Sequence, residues 1–360
     1  MVDGNSQLNA TGPRMDALLS SLQRSPELFP LALGVQDDVV TLIRLARADY
    51  QAASFLDERL LTPRTMARKL PWAEIAAAVS AADFPERCHF IFHIGHVGST
   101  LLARLLGEDP RLFALREPSA LRTLAQQRTE PEIQPRLWNE AEFESRLSVL
   151  LKLWSRTFGG GETALIKATS FVSDLAPHLL ARPSAPKAIL LTTKPENYFA
   201  TILGGENARE EAARLLVSRA RRLARRLGVK GFVPSGEGEG LAIAWAVEMC
   251  GLVEAQRAAG TRALTIDFDQ FLAEPEPVLQ AAFLHFGIDV PPERVNEILA
   301  GPLMQSYSKA PEHAYSPAFR REILDEAHKT HAAQIDKGLA WLEHTAQTHP
   351  LIGECLAMAS

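Results

Sequence analysis

The chain has 360 residues, 38 Lys+Arg against 43 Asp+Glu for a formal charge of −5, and 46% hydrophobic residues. This is the balance of an ordinary globular protein, and it excludes disordered and collagen-like chains and argues against a general nucleic-acid binder. The three cysteines, Cys88, Cys250 and Cys355, show no C-x-x-C spacing, so a reducing, cytoplasmic setting is expected. With no apolar run of 18 residues and no secretory-type start, neither membrane spanning nor export is expected.

In chain order, residues 14–82 read as successive helices. Leu18, Leu19 and Leu22 form one apolar stripe, Val39, Val40, Leu42, Ile43 and Leu45 the next, and Pro26, Pro30, Pro63 and Pro71 punctuate them. Asp83-Phe84-Pro85-Glu86-Arg87 reads as a boundary. Residues 88–94 (CHFIFHI) then form a short apolar run that suits a strand buried on both faces. Residues 99–106 read as a helix stopped near Gly107 and Pro110. Further strands are expected at 112–116, 164–168, 187–193 and 263–268, with helices between them.

Alternation of this kind predicts a three-layer α/β/α domain with a central parallel sheet of about five strands and ligands at the carboxyl ends. Helices are also expected at 195–203, 206–227 and 239–258. The run Ser235-Gly236-Glu237-Gly238-Glu239-Gly240 reads as a mobile loop, and the last 60 residues as loop then helix. The expected division is a helical N-terminal extension (1–87), an α/β core (88–300) and a C-terminal addition packing on the core (301–360).

A buried strand, then Gly95-His96-Val97-Gly98-Ser99-Thr100, then a helix is an arrangement in which backbone N–H groups and a helix N-terminus converge on an anion. Ser99 and Thr100 would add hydroxyl donors, and His96 a donor beside a transferred group. The P-loop lysine is absent, because G-x-x-x-x-G-K-[ST] cannot be written here. His89 and His93 project from one strand face near His96, but no cysteine or carboxylate completes a metal set within the segment, and none is expected.

The segment 90–106 resembles the 5′-phosphosulfate loop of the sulfotransferase family, a strand followed by (Lys/Arg)-Ser-Gly-(Ser/Thr)-Thr and a Leu-rich helix. Arg116-Glu117-Pro118 is similar to the family's acidic-Pro step. Residues 188–201 resemble its 3′-phosphate segment, with Pro195 and Thr201 matching, Thr193 standing where Arg is expected and Lys194 where Asp or Asn is expected. Residues 264–275, with 278–287 after them, resemble its later strand, acidic step and helix. In the loop, His96 replaces Lys or Arg and Val97 replaces a small hydroxyl residue.

The resemblance implies a P-loop, sulfotransferase-like fold of a divergent bacterial type, and 3′-phosphoadenosine 5′-phosphosulfate (PAPS) as donor without a metal. Gly95, Val97, Gly98, Ser99 and Thr100 would cradle its phosphosulfate end, and Thr193, Lys194 and Thr201 would receive the 3′-phosphate. His96 would act on the transferring group, with Glu117 or His313 as base towards a hydroxyl or amine of a small-molecule or glycan acceptor. Lys167, Thr169 and Ser170 end a strand at the same edge. Two other readings are an ATP-dependent phosphotransferase in which Asp267 or Asp269 helps hold Mg²⁺, and a non-catalytic nucleotide-binding module. Residues 209–230 carry eight basic residues against two acidic ones, so this helix presents either a solvated basic face or an arginine for an anionic ligand.

Overall fold

The computed structural model describes residues 13–82, 84–129, 137–305 and 316–360. Its strands are β1 (Leu28–Leu33), β2 (Val39–Arg44), β3 (Ala67–Pro71), β4 (Cys88–His93), β5 (Leu112–Arg116), β6 (Thr163–Lys167), β7 (Ala188–Thr192) and β8 (Ala263–Asp267). The helices up to β7 are α1 (Pro13–Arg24), α2 (Arg47–Ala52), α3 (Trp72–Ser80), α4 (Ser99–Leu106), α5 (Ser119–Thr129), α6 (Glu140–Trp154) and α7 (Ala176–Leu180). After it come α8 (Pro195–Leu203), α9 (Glu206–Leu227), α10 (Glu237–Ala259), α11 (Phe268–Ala273), α12 (Pro275–His285), α13 (Pro292–Ala300), α14 (Pro317–Thr348) and α15 (Pro350–Met358).

Strands β4 to β8 form a parallel five-stranded sheet in the order β5-β6-β4-β7-β8. Every residue of β5 and β7 is buried, as befits strands covered on both faces by helices. Helix α4 packs against β4, β5 and β6, and α10 against β4, β7 and β8. The α/β/α expectation holds, and β4 lies at the centre, where its carboxyl end opens between neighbouring connections.

The N-terminal region departs from its helical reading. Helices α1, α2 and α3 are present, but β1, β2 and β3 make an antiparallel sheet, with Leu28 opposite Arg44 and Val40 opposite Leu70. Pro30 sits inside β1, an edge strand whose register shifts between Pro30 and Ala32, so its missing N–H breaks no regular ladder. Two buried arginines tie this region to the core. Arg156 donates to the carbonyls of Leu22, Ser25 and Leu28, and Arg116, at the end of β5, to those of Tyr50, Gln51 and Ala53.

The glycine-rich run at 235–240 is also not a loop: α10 begins at Glu237. A Cβ at Gly238 would lie 2.0 Å from the Gln334 carbonyl oxygen, and one at Gly338 would lie 2.7 Å from the Gly238 carbonyl oxygen. These glycines let α10 and α14 cross backbone to backbone. Helix α14 also lies on α8 and bends at His331 (φ −117°, ψ 18°).

Candidate active site

After β4 the chain turns through three left-handed residues, Gly95 (φ +89°), His96 (φ +56°) and Gly98 (φ +63°). A non-glycine residue in that region is strained, and such residues concentrate where surrounding structure holds a functional turn. Glycine at position 98 is required twice over, because a Cβ would fall 2.0 Å from the Phe268 ring. Fully buried Val97 pins the turn to the core. His93 braces it: Nδ1 accepts from the Gly95 N–H at 3.0 Å, which leaves Nε2 to carry the proton and donate to the Ala168 carbonyl at 2.8 Å.

Helix α4 starts at Ser99 with no side-chain cap. Its first N–H groups therefore present an uncapped positive helix end. Ser99 and Thr100 are buried, and the Thr100 hydroxyl oxygen has no hydrogen-bond partner. A buried hydroxyl left in this state costs about 1–3 kcal/mol unless something accepts its proton.

These residues line a cleft of about 230 Å³, completed by Thr201 of α8, Gly204 and Gly205 after it, Phe268 after β8, and Arg320, Ile323 and Leu324 on α14. Arg320 was not anticipated. It is buried, its guanidinium lies 4.9 Å from the Phe268 ring centroid, and it pairs with Asp269 at 3.0 Å. Asp269 also accepts from Thr193 at 2.5 Å and Asn197 at 2.8 Å. Burial would raise the Asp269 pKa, but the Arg320 charge and these hydrogen bonds outweigh it and hold the carboxyl below its ordinary value.

The structure thus brings His96, Val97, Gly98, Ser99, Thr100 and Thr201 to one cleft. Gly95 forms the turn behind it. The Thr193 hydroxyl is committed to Asp269, Lys194 is exposed, and neither lines the cleft. Thr201 donates to the Asn197 carbonyl at 2.7 Å. His96 Nε2 lies 3.6 Å from Glu211 of α9. Glu117, itself left-handed at φ +51°, accepts from Lys167, whose side chain is fully buried, and sits at the end of edge strand β5 outside the cleft lining. His313 lies outside the described residues.

Asp267 caps α11 by accepting from the Gln270 N–H at 2.8 Å; its second oxygen is buried without a partner, and burial raises its pKa. His89 stacks on Phe286 with centroids 5.3 Å apart, and burial, followed by the Lys187 charge, lowers its pKa to about 4. Among the described residues no group of three or more His, Cys, Asp and Glu is placed to hold a metal. Among the described residues no helix is long and apolar enough to cross a membrane.

The basic helix α9 is largely neutralised from outside its own sequence. Arg222 pairs with Asp174 at 2.6 Å and Glu248 at 3.2 Å, Arg226 with Asp174 at 2.9 Å and Glu254 at 3.2 Å, and Arg209 with Glu237 at 2.9 Å. Burial would raise Asp174, yet Arg222 and Arg226 bring it down to about 2. Arg214, Arg221 and Arg225 do share an exposed face.

No protein-family model matches the chain, and no curated protein matches it. Solved structures do. A sulfotransferase domain from the curacin biosynthetic pathway aligns at 17% identity over 67% of this chain and 90% of its own, with a TM-score of 0.38. A sulfotransferase domain of a Synechococcus olefin synthase aligns at 17% over 69% and 95%, with a TM-score of 0.36. A mouse sulfotransferase complexed with PAP aligns at 12% over 79% and 93%, with a TM-score of 0.41. These three solved structures are sulfotransferases.

Proposed function

We propose that the chain is an enzyme that transfers a sulfuryl group from PAPS to a hydroxyl or amine of a small-molecule or glycan acceptor. One observation carries the reading: a buried, partnerless Thr100 hydroxyl at the uncapped start of α4, in a cleft that also holds the Arg320 guanidinium. Donors without acceptors opposite a buried cation describe a receptor for an anion with more than one charged group.

PAPS supplies an activated sulfuryl group bonded to a phosphate. The N–H groups of residues 98–100 and the Ser99 and Thr100 hydroxyls would hold that end, and preorganised donors of this kind stabilise charge that spreads during in-line transfer. His96, with Glu211 beside it, would donate a proton to the leaving oxygen. Arg320 would hold a second phosphate, in place of the arginine that Thr193 displaces, with Asp269 fixing its direction. Thr201, in the cleft lining, would flank that phosphate, and exposed Lys194 would contribute only charge from outside the cleft. Glu117 is the proposed base, its Oε1 oriented by Lys167.

The Mg²⁺-dependent phosphotransferase reading is weaker, because Asp269 is engaged by Arg320, Thr193 and Asn197, and Asp267 stands outside the cleft lining. Calorimetric titration with 3′-phosphoadenosine 5′-phosphate (PAP) and, separately, ATP with Mg²⁺ tests the proposal. The expected result is binding of PAP alone, with His96→Ala retaining that affinity but losing about 10²–10⁴-fold in transfer rate. Binding of ATP alone would replace this reading with the phosphotransferase. Undiminished transfer by H96A would remove His96 from the chemistry.

A further inference from the structure

A second cavity, of about 280 Å³, lies next to the Gly95-His96 turn. Its wall includes Ser170, whose hydroxyl oxygen is 3.5 Å from where a Gly95 Cβ would stand, and Glu211, the residue beside His96. Two residues of the second cavity's wall therefore touch the turn that forms the first cleft.

Four arginines line this cavity: Arg122, Arg214, Arg219 and Arg222. Two of them are matched. Arg222 pairs with Asp174 and Glu248, and Arg219 lies 3.7 Å from Glu248, which also accepts from Ser173. Arg122 and Arg214 form no ion pair with a carboxylate of the described residues; Arg122 instead lies 5.8 Å from the Phe171 ring centroid. The cavity's two lining acids, Glu248 and Glu211, are turned to the matched arginines and to His96 respectively. The space is thus surplus in cations, with four arginines and the hydroxyl residues Thr169, Ser170 and Ser218 in its lining.

We infer that this cavity receives the acceptor, and that Arg122 and Arg214 select an acceptor bearing a carboxylate or another small acidic group besides its reacting hydroxyl or amine. The inference rests on the proposed donor site in the neighbouring cleft. The acidic group binds the arginine forks, and the acceptor's nucleophilic atom is left to approach the turn. Such pairing is bidentate, so a neutral isostere forfeits both charge and geometry.

The test uses the full chain and two phenols that differ only in charge, 4-hydroxyphenylacetate and 4-hydroxyphenylacetamide, titrated by calorimetry with PAP titrated in parallel. Wild type is expected to bind the carboxylate about tenfold tighter than the amide, the ratio one charge-assisted pair sustains. The double variant Arg122→Gln, Arg214→Gln is expected to lose that preference while keeping its PAP affinity; both side chains are exposed, so folding is not at stake. The Arg122→Lys, Arg214→Lys pair is expected to keep part of it. Equal affinities in wild type, or a preference that survives in the Gln variant, would overturn the inference. Failure of PAP to bind would count against the donor reading alone, since the phenol comparison is read without donor.

Discussion

Two strand ends at the same edge of the parallel sheet handle polar groups in opposite ways. At the ends of β5 and β6, Lys167 and Glu117 satisfy each other, the Glu117 N–H donates to the Lys167 carbonyl at 2.7 Å, and Arg116 is used up on N-terminal carbonyls. At the end of β4, an uncapped helix and a buried hydroxyl face a cleft. Burying charge is therefore not what distinguishes a receptor from a joint, because both ends bury it. What distinguishes them is whether the donors are already answered from within the chain: at the first end Arg116 fastens the N-terminal region and Lys167 is spent on Glu117, and at the other the donors are left for an anion.

The contrast can be broken from either side. The largest effect is expected from Gly98→Ala, which combines a left-handed backbone with collision against Phe268 and should cost about 2–5 kcal/mol, divided between stability and PAP affinity. Calorimetry together with melting curves measures the division, and a variant matching wild type in both would show the turn to be tolerant. Arg320→Ala should weaken PAP binding by about 10–30-fold, the worth of one charge-assisted contact. It should also change the acid response. Asp269 is held below its ordinary 3.8, so its stabilisation is complete above that pH and fades as the pH falls below it. Without Arg320 the carboxyl is held down less, so the loss of stability on acidification below 3.8 should be smaller than in wild type, which denaturation at stepped pH would record. The smallest effect on the cleft is expected from Lys167→Met. Loss of about 1–3 kcal/mol of stability with PAP affinity within twofold of wild type would confirm a joint, and a tenfold loss of PAP affinity would join that end to the receptor.

How much of this was legible in the sequence follows from where each partner sits along the chain. The β4-turn-α4 unit is written in adjacent residues: an apolar run for a strand buried on both faces, glycines where φ is positive, and Ser-Thr at a helix start. The N-terminal sheet was misread because residues 39–45 satisfy both periods. Val39 and Leu42, and Val40 and Ile43, are spaced as on a helix, while β-branched Val39, Val40, Thr41 and Ile43 favour a strand, and pairing with β1 and β3 decides between them. Pro30 reads as punctuation unless the strand is known to be an edge.

Arg320 could not be located from the loop, since it arrives from a helix near the far end of the chain. The only local signal is an Arg320-Arg321 pair in the first turns after Pro317. The positive count on α9 is answered only in part, and from elsewhere: Asp174, Glu248 and Glu254, which pair with Arg222 and Arg226, belong to other elements, while Arg214, Arg221 and Arg225 stay exposed. Charge along a helix can be counted from sequence, whereas its neutralisation is a property of packing.

The glycine crossing between α10 and α14 has a mechanical consequence for the cleft. Helix α14 is clamped at Gly338 by backbone contact with Gly238, bends at His331, and carries Arg320 on the far side of that bend. The stretch from the bend to Arg320 is a lever arm of about 16 Å at 1.5 Å per residue, so a tilt of about 10° at the bend moves the guanidinium by about 3 Å. That is the full length of a hydrogen bond. The clamp behind that bend is a pair of residues without side chains, and a methyl group added at Gly238 or Gly338 would act on the ligand through leverage rather than through contact.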